Sequence, residues 1–259
     1  MTLARGLPLL AAAGAGACTV FAFAPFAVPG VALATLTLLF WLWSHAPTPR
    51  DGAWLGLAFG AGLFGAGSSW LYIAIEAFGG MPPWLAAISI AMLTVYLSLW
   101  PALAGDLCVR LAPAGSLRRL LIGAGAFTLA EWIRSYLFTG FPWLALGYTQ
   151  VPGGAFAGYA PLGGVYLVTL VLMLAAALLA HLTDALPRNA RWTVALCAIG
   201  IGVLATVGVT AARVEWTRPA GAPLAVSLVQ GNVLQGGTWL NPTAIYTPRF
   251  VRLNFTFNF

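Results

Sequence analysis

Charge is what this chain has least of: of 259 residues only 7% are Asp, Glu, Lys or Arg, lysine is absent, and the acidic side chains number six. A soluble domain carries roughly a quarter charged residues, so this scarcity excludes an ordinary soluble globular protein. Cysteine is also sparse. Cys18, Cys108 and Cys197 lie in apolar runs with no neighbouring His or basic pair to activate a thiol, and they read as small packed hydrophobes. The two histidines, His45 and His181, are far apart in the chain and read as polar residues near helix ends rather than ligands or bases. No metal-ligand set, no phosphate loop and no soluble cofactor is expected. The net charge of +6 comes from arginines scattered in ones and twos, which excludes a basic footprint for nucleic acid.

What the chain has in excess is hydrocarbon: 61% hydrophobic residues and a mean hydropathy of +0.90. Stretches of about 20 apolar residues are long enough to cross a bilayer. Seven occur, near 7 to 24, 27 to 46, 52 to 75, 82 to 109, 117 to 139, 160 to 183 and 191 to 212. Pro25 and Pro29 leave so short a turn between the first two that a re-entrant hairpin is the alternative there. With the N-terminus in the cytoplasm, Arg5, Arg50, Arg110, Arg118, Arg119, Arg188 and Arg191 all fall on the cytoplasmic side, and the intervening segments 76 to 82 and 140 to 159 have no basic residue. Seven spans export everything after Arg213. Arg5, the first apolar run and Ala22-Phe23-Ala24 imitate a cleavable signal, but an uncleaved first helix accounts for the arginine pattern more simply.

Against this background Glu131-Trp132-Ile133-Arg134 is conspicuous. An ionisable side chain at membrane depth costs at least a few kcal/mol, so it is normally paired and turned away from lipid. Three residues apart on a helix, the two share a face and can neutralise each other. The Pro, Gly and aromatic residues of Phe138 to Gln150 cannot extend that helix and predict a non-helical segment shielded by protein. In the third span Gly56, Gly60, Gly62, Gly65 and Gly67 recur at spacings that let helix backbones approach. Its end, Ser69 to Pro82, brings Trp70, Tyr72 and Glu76 to the same surface as Phe141 to Gln150.

After Arg213, the run Pro219-Ala220-Gly221-Ala222-Pro223 reads as a linker, and Leu224 to Val233 as the buried first strand of an α/β domain. Residues 1–216 are thus expected to form a transmembrane helical domain and 217–259 the beginning of a second, exported domain. The fold class is mainly α, a polytopic helix bundle followed by one α/β strand. Phe255, Phe257 and Phe259 alternate as in a strand.

Five motifs in order carry a family resemblance: Phe23-Ala24-Pro25-Phe26, Trp70 to Pro82, Glu131 to Gln150, Ala160-Pro161-Leu162-Gly163-Gly164-Val165-Tyr166, and Leu228-Val229-Gln230-Gly231-Asn232 followed by Trp239. The chain resembles the N-terminal half of bacterial apolipoprotein N-acyltransferases. The resemblance implies an inner-membrane enzyme that moves an acyl chain from a phospholipid donor to the N-terminal amine of a diacylglyceryl-cysteine lipoprotein acceptor. It also implies a periplasmic nitrilase-like domain whose Cys nucleophile, Glu base and Lys form and resolve a thioester.

The chain departs from that pattern where chemistry happens. It has no lysine, and the family's Glu, Lys and Cys fall beyond the tryptophan matched by Trp239, past Phe259. No catalytic residue is therefore assigned, and a truncated or frame-shifted reading frame is the expectation for the final residues. Trp239 and Trp143 are the first candidates for contact with acyl chain or lipoprotein. Glu131 and Arg134 are candidates to orient a lipid headgroup, with a structural ion pair as the competing reading; Tyr72 and Glu76 follow. The rival function is a non-enzymatic multispanning transporter or lipid-binding scaffold. It predicts inverted repeats, which the spans do not display, and leaves the strand at Gln230-Gly231-Asn232 without a role.

Overall fold

The computed structural model describes residues 3–217, 224–228 and 253–257. Its long helices are α1 (Leu3–Thr19), α2 (Pro29–His45), α3 (Pro49–Gly67), α5 (Pro83–Leu111), α6 (Leu117–Arg134), α7 (Ala160–Ala185) and α8 (Arg191–Ala211). A short α4 (Trp70–Ile73) runs directly into a π-helical turn, Ala74–Phe78. Each of the seven apolar segments overlaps one of these helices, although α3 breaks after Gly67, short of the expected end of its segment. Proline opens α2, α3 and α5 at their first turns, where its missing N–H is no loss. Thr48 caps α3 by accepting from Asp51 N at 3.2 Å, and Ser116 caps α6 by accepting from Arg119 N at 3.2 Å.

The mostly helical, apolar architecture is that of a membrane helix bundle. Among the described residues three helical segments are long and apolar enough to cross a bilayer: Pro83–Leu111, Ala157–Ala185 and Arg191–Ala211. A fourth is added if α3 and Trp70–Phe78, bent by 47°, count as one span. The stretches Gly6–Ala22 and Pro29–His45 are apolar but shorter. Helix α6 differs from the expected span in ending at Arg134, because Phe138 (φ 51°) and Gly140 (φ 80°) turn the backbone out of the helical region.

Helix α3 lies between α1 and α5, and its glycines explain how. Cβ atoms on Gly52, Gly56 and Gly60 would collide with Gly105, Pro101 and Ser98 of α5, while one on Gly62 would strike Ala13 of α1. Around this contact Leu36, Phe40, Trp43, Phe59, Leu97 and Leu120 form a fully buried core. Trp43 Nε1 donates to Gly52 O at 3.0 Å and ties α2 to α3. Helix α8 packs on α7 and buries few of its own residues.

The connections after α2, α5 and α7 gather at one end of the bundle: Gly115 N donates to Ser44 O at 3.1 Å, and His45 Nε2 stands 3.6 Å from the Asp184 carboxylate. This end carries Arg50, Arg110, Arg118, Arg119, Arg188 and Arg191. Arg119, read from the sequence as one of the interfacial cations, is buried. Its guanidinium donates to Ala112 O at 3.0 Å, Ala46 O at 2.9 Å and Trp43 O at 3.2 Å, so it closes carbonyls left open at the ends of α2 and α5.

Beyond the bundle, β1 (Leu224–Leu228) pairs antiparallel with β2 (Leu253–Phe257), Val226 opposite Phe255. Both segments were expected to be extended. Gly221, Gln230 to Asn232 and Trp239 lie outside the described residues.

Candidate functional site

At the other end of the bundle α6 finishes with Glu131 and Arg134 on adjacent turns. Just past it the chain reverses. Gly140 permits this: a Cβ there would collide with Ser135 O, and its positive φ suits only glycine without strain. Phe141 N then donates to Arg134 O at 3.1 Å, folding the following segment back over the helix end.

Both charged side chains point inward and are almost fully buried, Glu131 at 3% exposure and Arg134 at 2%. Glu131 Oε1 accepts from Leu146 N at 2.9 Å, and its Oε2 accepts from Thr169 Oγ1 at 2.7 Å. The Thr169 hydroxyl in turn accepts from Gly147 N at 2.8 Å. Arg134 Nη1 donates to Phe141 O at 2.6 Å and to Trp143 O at 3.0 Å, and the guanidinium lies 5.1 Å from the centroid of the Phe64 ring. Between the two, Arg134 Nη2 and Glu131 Oε1 are 3.9 Å apart, too far for a hydrogen bond. Their attraction is coulombic, and their hydrogen bonds go to backbone groups of residues 141–146 and to Thr169.

That division of labour decides what the pair does. Buried charges are tolerated only when neutralised and fully hydrogen-bonded, and irregular backbone inside a bilayer-facing bundle only when protein satisfies it. Each requirement meets the other here. Leu146, Gly147, Thr149 and Gln150 are buried, Thr149 Oγ1 donates to Leu146 O at 2.6 Å, and Gln150 Nε2 reaches Pro29 O at 3.5 Å. Glu131 and Arg134 thus fasten the loop to the end of α6.

The loop presents aromatic side chains outward. Trp143 is 56% exposed, with its ring centroid 5.7 Å from Phe141 and 6.4 Å from Trp70. Leu144 fills the space beside Gly67, where a Cβ would come within 2.5 Å of its Cδ1. The structure therefore gathers Trp143, Glu131 and Arg134 into one assembly with Trp70. Tyr72 and Glu76 sit half-buried on α4 and the π-helical turn that follow Trp70. Trp239 falls outside the described residues. Thr169 and Phe64 are parts of the assembly that sequence reasoning missed; nothing in an apolar helix marks one threonine or one phenylalanine as a partner of a distant carboxylate or guanidinium. No group of three or more His, Cys, Asp or Glu able to hold a metal occurs among the described residues. Chemically the assembly offers an amphipathic aromatic surface and no activated nucleophile.

The family model described as "Apolipoprotein N-acyltransferase N-terminal domain" matches residues 15–178, which include the whole of this assembly. Curated relatives named apolipoprotein N-acyltransferase come from Nitrosomonas europaea (42% identical over 231 residues, covering 89% of this chain and 45% of the relative) and Chromobacterium violaceum (41% over 231 residues, 89% and 44%). Another, from Methylococcus capsulatus, is 42% identical over 235 residues, covering 89% and 45%. The chain spans about half the length of the curated relatives it matches. With the matched region running through the helix bundle and the pinned loop, the chain belongs to the apolipoprotein N-acyltransferase family, whose N-terminal domain it contains.

Proposed function

We propose that this chain is the membrane-embedded platform of an apolipoprotein N-acyltransferase, which transfers an acyl chain from a phospholipid to the N-terminal amine of a diacylglyceryl-cysteine lipoprotein. The observation that carries the reading is the loop pinned by Glu131 and Arg134, which offers Trp143 and Trp70 at the bundle end opposite Arg50, Arg110, Arg118, Arg188 and Arg191. An indole surface there suits acyl chains and the interface they leave from. In this reading Trp143, Tyr72, Glu76 and Trp239 meet substrate, and Glu131 and Arg134 hold the surface in shape.

The bundle sits in the bacterial inner membrane with seven spans, its N-terminus in the cytoplasm and Arg5, Arg50, Arg110, Arg118, Arg119, Arg188 and Arg191 on the cytoplasmic side. Residues 1–216 form the transmembrane domain, and 217–259 begin a periplasmic nitrilase-like domain with β1 as its first strand. Transfer runs through a thioester on a cysteine supplied by the remainder of that domain, since the thiols and acids of this chain have no place in such a set. Neither metal nor soluble cofactor is needed, because thioester exchange requires only a lipid donor and an amine acceptor.

The test is an acyl-transfer assay on the purified chain with phospholipid and a diacylated lipopeptide. No turnover is expected from the chain alone, and turnover is expected when the rest of a relative's nitrilase-like domain is fused after Asn232. Activity of the chain by itself would refute the assignment of catalysis to residues outside it. A topology reporter fused at Gly221 that is active only in the cytosol would overturn the periplasmic placement.

A further inference from the structure

We propose that the arginine-rich end of the bundle holds a second lipid site, remote from the pinned loop, in which one acyl chain of an anionic phospholipid occupies a cavity between α1, α2 and α3. The cavity measures about 650 Å³, and its walls include Leu9 of α1, Trp41, Leu42 and His45 of α2, and Trp54 and Leu55 of α3. Its size is that of an ordinary ligand pocket.

Hydrogen-bond accounting decides which guest fits. Trp41 Nε1 donates to Asp184 Oδ1 at 3.1 Å. His45 Nδ1 lies 2.8 Å from Trp41 O, and its Nε2 faces the same Asp184 carboxylate at 3.6 Å, so both ring nitrogens are turned toward oxygens of the protein. The one carboxylate on the wall, Asp51, accepts from Thr48 Oγ1 at 2.6 Å within the cap of α3. The polar groups of Trp41, His45 and Asp51 thus face partners within the protein itself, and the rest of the wall is mostly aliphatic carbon and indole faces. A polar metabolite would leave its own groups unsatisfied there, whereas a hydrocarbon chain would not.

The charge around this end selects the headgroup. Arg50, Arg118, Arg188 and Arg191 are exposed on it, and such cations are attracted to an anionic lipid surface. Arg50 belongs to the first turn of α3, next to Asp51 on the cavity wall. A phosphate held at Arg50 would let its chain descend into the cavity.

The experiment uses the full chain in nanodiscs with phosphatidylglycerol carrying a photoreactive diazirine in one acyl chain, followed by peptide mapping of the adducts. Saturable adducts on the segment from Trp41 to Leu55 are expected, competed by unlabelled phosphatidylglycerol more strongly than by phosphatidylethanolamine. Filling the cavity with Leu9→Trp should lower those adducts at least about fivefold, while adducts on the lipid-facing side of α8 stay the same. Leu55→Phe repeats the test should Leu9→Trp not fold, and Arg50→Gln should remove the headgroup preference. Adducts that do not saturate, or that fall in parallel with those on α8, would show bulk annular lipid only and overturn the site. Equal competition by the two lipids would overturn the anionic headgroup.

Discussion

Helix α6 carries a buried arginine at each end, and the two do different jobs with the same fork of donors. Arg119 serves the regular part of the fold: its acceptors are the terminal carbonyls of α2 and α5, where helix dipoles already concentrate negative charge. Arg134 serves an irregular loop, and it needs two things Arg119 does without. One is the Glu131 carboxylate at 3.9 Å; the other is the face of Phe64. Helix ends supply a diffuse counter-charge, whereas a loop of Pro, Gly and aromatic residues supplies only carbonyls, so a cation pinning such a loop needs a formal anion beside it.

Arg134→Met leaves Glu131 as an uncompensated buried charge and frees two loop carbonyls, with an expected loss of about 3–5 kcal/mol, read as a fall in the unfolding temperature of the purified chain in detergent. Adding Glu131→Gln should return part of that loss, because the residual charge is gone; strictly additive losses would mean that the pair is not coupled. Arg119→Met orphans no carboxylate and should cost less, about 1.5–3 kcal/mol for the lost charged hydrogen bonds. Its signature is faster proteolysis at the segments around Ala46 and Pro113, with the loop at Trp143 unaffected. Equal sensitivity of both loops would erase the distinction drawn between the two arginines.

Thr169→Val comes next. It removes the hydroxyl shared by Glu131 and Gly147 N at nearly constant volume, and should cost about 1–2 kcal/mol with increased hydrogen exchange at the Gly147 amide. An unchanged exchange rate would show that α7 has no part in holding the loop. Trp143→Ala should barely move stability, by less than about 0.5 kcal/mol for an exposed side chain, while lowering acyl transfer in the completed enzyme. Loss of stability without loss of transfer would reverse the roles given to Trp143 and its support.

Much of this was readable in the amino-acid sequence because apolar runs and prolines are local signals. The long helices fall where uninterrupted hydrocarbon does, and Pro29, Pro49 and Pro83 open three of them. Glu131 and Arg134 announced themselves through the cost of burying charge, as did the protein-shielded segment after them. What stayed hidden depends on partners distant in the chain. Arg118 and Arg119 are indistinguishable as letters, yet one is exposed and the other buried, since only Arg119 points between α2 and α5. Thr169 lies 38 residues from Glu131 along the chain. No period or spacing in α7 singles it out.

One mechanical consequence follows from α6 being fastened at both extremities. Turning or sliding this helix would have to tear open the closures of α2 and α5 together with the acid, base and threonine bonds under the loop. It behaves as a tie rod. Displacement at this end of the bundle is therefore cheapest in Trp70 to Phe78, the broken continuation of α3, which contributes no buried residue and faces Trp143 across the bundle end.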